Sequence, residues 1–503
     1  MNADAALADL KTRQREIVNL QRAAAVLTWD QSTYMPPGGG EARGQQIALL
    51  MRLYQEKISD VQLGRLLDRL APYEHSLPYD HDDAALIRVA RRNYERQVKI
   101  PADLYADFYG HRAESYQAWV RARPENDFAA VRPYLEKTLD YSRQIAECFP
   151  GYEHIADPLI GFFDYGMQAR TIRQVFAALR AELVPLVAAI TSHPPADDQF
   201  LRQNFPQARQ LEFAEYISRS VGYDFERGRL DLTHHPFMTR FSIGDVRITT
   251  RVDEHDLGNC LFSVIHETGH ALYEQGVDPH FEGTPLARGA SSGMHESQSR
   301  LWENLVGRSL PFWEYFYPQL QQAFPEQLAD VELERFYRAI NRVQPSLIRT
   351  EADEVTYNLH VMIRFDLELQ MLEGTLAVKD LPDAWNARYA SDLGLTPPDD
   401  RDGVLQDVHW YDGFIGGEFQ GYTLGNLLSA MIFAQAQAAQ PELTENLRQG
   451  QFTQLHTWLR ENLYRHGRKY TPAELTERLT GGELEIAPLV SYLKRKYGAL
   501  YAL

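Results

Sequence analysis

Apolar residues recur every three or four positions through most of this chain, which is the spacing of a buried face on an α-helix. The pattern predicts successive amphipathic helices from residue 3 to about residue 149, and again over residues 171–192 and 206–221. Helical spacing also runs through the C-terminal part of the chain, with Pro and Gly residues between segments. The chain is therefore predicted to be mainly α.

In one stretch, residues 237–252, every second residue instead belongs to the same face, which is the pattern of a pair of β-strands. Gly244 and Asp245 interrupt the alternation, so we predict a small antiparallel β-sheet that turns there. Such a hairpin could offer its edge strand to an extended peptide, or it could only cover the core. The pattern leaves both roles open.

The segment after the hairpin contains the sequence H-E-T-G-H at residues 266–270. Residues suited to a buried stripe recur around it at helical spacing, namely Leu261, Val264, Ile265, Thr268 and Leu272. Asp256 can accept hydrogen bonds from the first backbone amides of a helix, and Gly276 and Pro279 can end it. We therefore predict that H-E-x-x-H lies on a helix that begins near Asp256.

On such a helix His266 and His270 lie about 40° apart around the axis, so both imidazoles can reach one ion. Neutral imidazole suits Zn²⁺, and the carboxylate of Glu267 can take a proton from a zinc-bound water. The alternative is a surface or core helix that carries these three residues without binding a metal.

A second helical segment, which runs to about residue 306, supplies candidates for a third metal ligand. Glu296 is the first candidate, because the residues between His270 and Glu296 are enough for a helix end, a turn and a second helix antiparallel to the first. Two imidazoles and one carboxylate leave a fourth position open for water, as a catalytic zinc requires. His295, Glu274 and Glu303 are competitors, and Glu303 also suits a hydrogen-bond partner for a ligating imidazole. The alternative is that these acidic residues bind no metal and form a solvated face of the helix.

Residues 347–372 are predicted to form one long helix, with Arg349 on a polar line beside its apolar stripe. Arg349 could form a surface ion pair with Asp353, or it could hold the terminal carboxylate of a peptide through paired hydrogen bonds. Arg401, just before the segment 403–410, is the second candidate for that carboxylate clamp.

Composition narrows the class of protein. With 503 residues, 44% of them hydrophobic, the chain can bury a substantial core, and without repeats or linkers we expect one helical unit over residues 1–503. The longest apolar runs fall far short of the ~20 residues of a membrane span, and the acidic start lacks a signal-peptide pattern. Only two cysteines, Cys148 and Cys260, are present, so we expect a reducing, cytoplasmic setting.

Charge limits the partners further. The formal net charge is −18 and the sequence has no dense basic run, which disfavours nucleic acid and anionic membranes as partners.

Six ordered motifs resemble those of the carboxypeptidase Taq family of metallocarboxypeptidases. They are H-P-F at 235–237, D-V-R-I-T at 245–249, H-E-T-G-H at 266–270, H-E-S-Q at 295–298, I-R-T-E-A-D at 348–353 and G-V-L-Q-D-V-H-W at 403–410. The resemblance covers roughly residues 235–426, which would carry the catalytic motifs, and the helix-rich remainder is compatible with it.

The resemblance implies that zinc is bound by His266, His270 and Glu296, with Glu267 as general base. Co²⁺, which accepts similar ligands, could replace the zinc. It also implies a mostly helical, two-lobed body with a deep active-site groove, and a homodimer.

The same resemblance places Arg349, His409 and Tyr422 in or near the substrate site. Tyr422 or His409 would stabilise the oxyanion of the tetrahedral intermediate.

We therefore expect a zinc carboxypeptidase that releases single residues from peptides with a free C-terminus. One alternative is an oligopeptidase or endopeptidase, which shares the zinc centre but needs no cation for a terminal carboxylate. Another is a helical protein that binds a metal without catalysis. Glu267 argues against this last alternative, because a structural site has no use for an unligated carboxylate beside an open position.

Overall fold

The computed structural model describes residues 3–503, so the first two residues of the expected 1–503 unit lie outside the described part. The strands are β1 (Leu230–Leu232), β2 (Met238–Ser242) and β3 (Asp245–Thr250). The α-helices are α1 (Ala3–Thr33), α2 (Gly40–Ile58), α3 (Val61–Ser76), α4 (Asp82–Lys99), α5 (Ala102–Ala122), α6 (Phe128–Glu147), α7 (Asp157–Phe163), α8 (Ala169–Thr191), α9 (Gln207–Val221), α10 (Leu257–Gly276), α11 (Ser292–Arg300), α12 (Leu310–Ala323), α13 (Pro325–Leu328), α14 (Leu333–Ile340), α15 (Tyr357–Glu373), α16 (Leu381–Leu393), α17 (His409–Asp412), α18 (Gln420–Ala439), α19 (Leu443–Arg448), α20 (Thr453–Asn462), α21 (Pro472–Thr480) and α22 (Ala487–Tyr501). The predicted mainly α class is confirmed.

The described residues form two compact units, each built from three separate stretches of chain. The first unit comprises the chain up to Val98 together with Asp198–Ile340 and Ile432–Gly482. The second comprises Lys99–Asp197, Asn341–Met431 and Glu483–Leu503. Because each unit is assembled from distant stretches, no cut in the sequence separates them.

In the first unit, α1, α3 and α4 share one apolar core. The buried face of α3 consists of Leu63, Leu66, Leu67 and Leu70, which are inaccessible to solvent. Their spacing of three and four residues is that of one helical face, so burying it fixes how α3 packs. Asp60 starts this helix by accepting a hydrogen bond from the Gln62 amide.

In the second unit, α8 packs against α15, α16 and α22. Phe176 of α8 meets Phe365 of α15 edge to face, with ring centroids 5.2 Å apart. By length and composition alone α8 could cross a membrane, and 33% of its most apolar stretch is buried. A single helix of this kind is weak evidence for a span, because the core helix of a globular protein passes the same test.

The hairpin predicted from alternation is confirmed. Strands β2 and β3 pair antiparallel, Met238 lies opposite Ile248, and the chain turns at residues 243–244. The sheet has a third strand that the sequence did not indicate, since β1 pairs with β3 in parallel. The sheet is therefore mixed rather than purely antiparallel, with β2 at one edge. A three-residue strand is too short for its alternation to be recognised in a sequence.

Helix α10 carries H-E-x-x-H and begins where the sequence predicted. The Asp256 carboxylate accepts hydrogen bonds from the amides of Gly258 (3.0 Å) and Asn259 (3.3 Å), and the helix ends at Gly276. Every residue of the predicted stripe is buried, namely Leu261, Val264, Ile265, Thr268 and Leu272. Thr268 shares a buried hydrogen bond of 2.9 Å with Ser218, which joins α10 to α9.

Gly269 lets α11 approach α10 closely. A Cβ atom at this position would lie 2.5 Å from the Gln298 carbonyl oxygen and 2.7 Å from the Ser299 Cα. These neighbours are backbone atoms that cannot swing aside, so a larger residue would push the two helices apart. Packing therefore requires glycine at the fourth position of H-E-T-G-H.

The predicted helix over residues 347–372 is wrong in its first third. Arg349–Glu351 form a single 3₁₀ turn, and α15 begins only at Tyr357. The Asp353 carboxylate explains the late start, because it accepts hydrogen bonds from the amides of Val355 (2.9 Å) and Thr356 (3.0 Å). A short acidic side chain of this kind competes with the helical hydrogen bonds that the periodicity assumed.

Replacing Gly269 by alanine should destabilise the first unit and impair metal binding together. Overpacking of a rigid contact typically costs about 1–3 kcal/mol. Gly110→Ala is the matched control, since no described atom would lie within 4 Å of its new Cβ and an exposed helix gains up to about 1 kcal/mol from the same change. Urea unfolding and metal content of both variants would check this. Equal tolerance of the two substitutions would show that the helices can separate freely.

Candidate metal centre and surrounding residues

Helices α10 and α11 bring three potential metal ligands together. A nitrogen of His266, a nitrogen of His270 and a carboxylate oxygen of Glu296 all lie within 4.8 Å of one another. The Nε2 atoms of His266 and His270 are 3.7 Å and 3.4 Å from Glu296 Oε2. This arrangement of two nitrogens and one oxygen around a common point suits a divalent metal such as zinc.

The other ring nitrogen of each histidine is already bonded. His266 Nδ1 lies 2.9 Å from Glu303 Oε2. His270 Nδ1 lies 2.6 Å from His295 Nδ1, and His295 Nε2 lies 2.9 Å from Glu274 Oε1. If each Nδ1 of the first two rings donates a proton, both Nε2 lone pairs are left to face Glu296. The hydrogen bonds thus favour the tautomers that a metal needs.

Glu296 is held in its ionised form. Burial alone would raise the pKa of its carboxyl, but Arg300, His266 and His270 lower that pKa well below its ordinary value. Arg300 Nε donates to Oε1 at 2.7 Å, which leaves Oε2 facing the two histidines. One oxygen of the carboxylate is therefore fixed by an arginine while the other is presented to the candidate metal position.

The three competing ligands predicted from sequence lie behind this layer. Glu303 bonds His266, and although burial opposes ionisation of this carboxyl, Arg300 and His266 lower its pKa to about 2. His295 and Glu274 form the relay behind His270. Among the described residues, neither joins the group that could hold an ion.

Glu267 differs from the other acidic residues of the site. Its side chain is buried, and this burial raises the pKa of its carboxyl to about 7, an effect that Glu296 and Glu303 reinforce and His270 opposes. A carboxyl with a pKa near neutrality can both accept and return a proton at physiological pH.

In the second unit, the Asp407 carboxylate bonds two of the residues predicted for the substrate site, Arg349 and His409. Its carboxylate accepts from Arg349 Nε and Arg364 Nε, both at 2.8 Å, and bonds His409 Nδ1. His409 Nε2 in turn lies 3.1 Å from the Tyr422 hydroxyl. Arg349, His409 and Tyr422 are therefore neighbours. The suggested surface ion pair of Arg349 with Asp353 is wrong, because Arg349 is buried and pairs with Asp407.

Arg401 lies apart from that group. It is exposed, and its Nη2 pairs with Asp399 at 3.0 Å. Within the described chain it makes no hydrogen bond or ion pair with Arg349, His409 or Tyr422. Sequence reasoning missed Asp407 and Arg364 as partners, although Asp407 lies inside the 403–410 motif, two residues before His409.

A mainly α fold with two helical histidines, a converging glutamate and an adjacent buried carboxyl defines the class of a metallopeptidase. The family model of the carboxypeptidase Taq (M32) metallopeptidases matches residues 9–497. The chain therefore belongs to the carboxypeptidase Taq (M32) family, and it is a metallocarboxypeptidase that acts on peptides.

Similar proteins support this assignment over the full length of the chain. The chain is 40% identical to thermostable carboxypeptidase 1 of Thermus thermophilus, covering 100% of both chains, and 38% identical to carboxypeptidase 1 of Bacillus subtilis, covering 97% of each. A crystal structure of an M32 carboxypeptidase from Deinococcus radiodurans R1 matches with a TM-score of 0.97 and 52% identity, covering 99% of this chain and 100% of that one. The predicted resemblance is confirmed.

Replacing Glu303 by glutamine should weaken metal binding without removing a ligand. The amide lacks the charge that makes the His266 ring a better donor, and loss of such a partner typically costs about 10–100-fold in metal affinity. Competition with a coloured chelator would measure the change. Glu314→Gln, which alters only an ion pair with Arg448, is the control. Unchanged affinity in Glu303→Gln would mean that the hydrogen bond has no influence on the site.

Proposed function

We propose that this metallocarboxypeptidase uses one Zn²⁺ per chain, held by His266, His270 and Glu296, to release single residues from free C-termini of peptides. The observation that carries the proposal is the convergence of two Nε2 atoms and one carboxylate oxygen in a member of this family. Co²⁺ accepts similar nitrogen and oxygen ligands and is the expected substitute. When bound, the metal would polarise the scissile carbonyl and lower the pKa of a bound water.

Glu267 acts as general base in this proposal. Its buried carboxylate accepts the proton of the attacking water and later passes a proton to the leaving amine. Within residues 3–503, no arginine is among the groups that most shift its pKa. This supports the role, because a carboxylate paired with an arginine would be too weak a base.

Arg349 holds the substrate carboxylate, and His409 or Tyr422 stabilises the oxyanion. Support comes from the charge around Asp407, where one carboxylate faces two guanidinium groups and leaves a positive excess. Arg349 Nη1 contacts the Tyr357 hydroxyl at 3.2 Å and the guanidinium lies 5.1 Å from the Tyr422 ring centre, so aromatic side chains hold it in place. Arg401 is the second candidate for the clamp.

We further propose that residues 235–426 carry the catalytic motifs of a cytoplasmic homodimer. The cytoplasmic setting is supported by the two free cysteines, of which Cys260 is buried. The homodimer rests on the resemblance alone, and sedimentation of the purified chain would test it.

A chelator should abolish activity, and metal analysis of the active protein should give close to one zinc per chain. Glu267→Gln should keep the metal but lose about 10²- to 10⁴-fold in kcat, because the amide is similar in shape yet cannot accept a proton.

Product masses from a free-acid peptide would confirm release of single residues. Active protein without a stoichiometric transition metal, or near-normal turnover by metal-loaded Glu267→Gln, would contradict the proposal.

Arg349→Met should slow hydrolysis of free-acid peptides more than that of amidated peptides, which lack the terminal charge. A hydrogen-bonded charge of this kind contributes roughly ten- to a hundred-fold to kcat/KM. Arg349→Lys keeps the charge but not the paired geometry, so its kcat/KM on free-acid peptides should lie between those of the parent and Arg349→Met.

Arg401→Met is the matched variant for the second candidate, and its exposed ion pair makes misfolding no concern. If Arg349→Met slows both peptides equally while Arg401→Met separates them, the clamp is Arg401. If neither variant distinguishes the two peptides, no arginine clamp determines the specificity.

A further inference from the structure

The first unit gathers arginines from four distant parts of the chain, which we call the arginine cluster: Arg92, Arg96, Arg240, Arg288 and Arg468. Arg92 and Arg96 lie one turn apart on α4, and Arg240 lies on β2. The Arg468 amide donates to the Leu286 carbonyl at 3.0 Å, which places its backbone beside that of Arg288. Burial lowers the pKa of the Arg468 guanidinium well below its ordinary value, and the other four arginines lower it further.

The cluster members Arg240, Arg288 and Arg468 differ in their counter-charge. Arg240 Nη1 pairs with Glu274 Oε2 at 2.6 Å, and the second oxygen of Glu274 is occupied by His295 and the Gly289 amide. Over residues 3–503, the side chains of Arg288 and Arg468 make no hydrogen bond or ion pair. An anion stabilises guanidinium groups that lie near like charges, and their planar donors match a carboxylate.

A ligand can reach these two arginines. Arg288 is exposed and Arg468 is half-buried, whereas Ala287 and Gly289 on either side of Arg288 are buried. The unpaired donors therefore face solvent from an ordered backbone. Such a concentration of positive charge stands out in a chain whose net charge is −18.

Strand β2 and helix α10 relate Arg240, one member of the cluster, to Glu267 beside the metal ligands. The backbone of Met238 lowers the pKa of Glu267 and so lies near that carboxyl, and Arg240, two residues further along β2, bonds Glu274. Glu267 and Glu274 are two turns apart on α10, which is about 10 Å along the helix axis. An extended peptide advances about 3.3 Å per residue, so about three residues span that distance.

We propose that the arginine cluster binds an acidic side chain of the peptide substrate, about three residues on the N-terminal side of the scissile bond. The direction follows from the reaction, because a carboxypeptidase leaves only one residue on the other side. The inference rests on the proposed function for its substrate, but the anion site itself does not. It assigns to this enzyme a preference for acidic sequence upstream of the bond that is cut.

The experiment compares free-acid peptides that carry Glu or Gln at each of the four positions before the scissile bond. Glu should raise kcat/KM roughly tenfold or more over Gln at the position that reaches the cluster, mostly through KM. Arg288→Met and Arg468→Met should each reduce this Glu-to-Gln ratio, and Arg288→Lys should restore much of it. Arg465→Met is the control, since Arg465 lies in the same loop and pairs with Glu461.

Two results would overturn the proposal: equal kcat/KM for Glu and Gln peptides at every position, or an unchanged ratio in both methionine variants. If thermal melting shows that Arg468→Met does not fold, the Glu-to-Gln ratios of Arg288→Met and Arg288→Lys alone test the proposal.

Calorimetry on the metal-free protein separates this inference from the proposed function. A Glu-containing peptide should bind more tightly than its Gln counterpart, and Arg288→Met should abolish the difference, even if no peptide were cleaved. Inorganic phosphate is the second probe. Phosphate binding that depends on Arg288, with no discrimination between the peptides, would assign the cluster to a free anion and overturn the substrate role.

Discussion

The closeness of α10 and α11 is the constraint on which the candidate site depends. The missing side chain at Gly269 lets the backbone of Gln298 and Ser299 lie against α10. Only at that separation can Glu296, from the second helix, share a point with two histidines from the first. Since two helices cannot retain such an approach without a filled interior behind them, the buried stripes of both serve the metal geometry as well as stability.

Four glutamates, three of them buried and Glu303 half-buried, surround the two histidines, and their arginine partners determine what each can do. Three are paired: Glu274 with Arg240, Glu296 with Arg300, and Glu303 with Arg300 and Arg308. Their pKa values are lowered, so they remain ionised as ligand or as hydrogen-bond partners. No arginine of the described chain pairs with Glu267, and its pKa is raised to about 7. One residue type thus fills several roles through the placement of its counter-charges.

Sequence periodicity predicted what local spacing can encode. It located α10, its Asp256 cap and the β2–β3 hairpin, because each depends on residues close together in the chain. It failed where a side chain overrode the local pattern, as Asp353 does at the start of α15. It could rank Glu296 first but could not exclude His295 or Glu274, because only the fold shows which donors face the same point.

The arginine cluster is a second feature that the sequence alone could not predict, because its charges come from distant segments. The sequence shows no dense basic run, and a partner that needs one was reasonably disfavoured. Yet Arg96 and Arg468 belong to segments separated by most of the chain, and folding brings Arg96, Arg240 and Arg288 within electrostatic range of Arg468. Net charge describes the long-range field of a protein, whereas recognition of one carboxylate depends on a few donors within hydrogen-bond reach. An acidic enzyme can therefore hold a local basic site, and its acidic surface would even limit non-specific association of acidic peptides elsewhere.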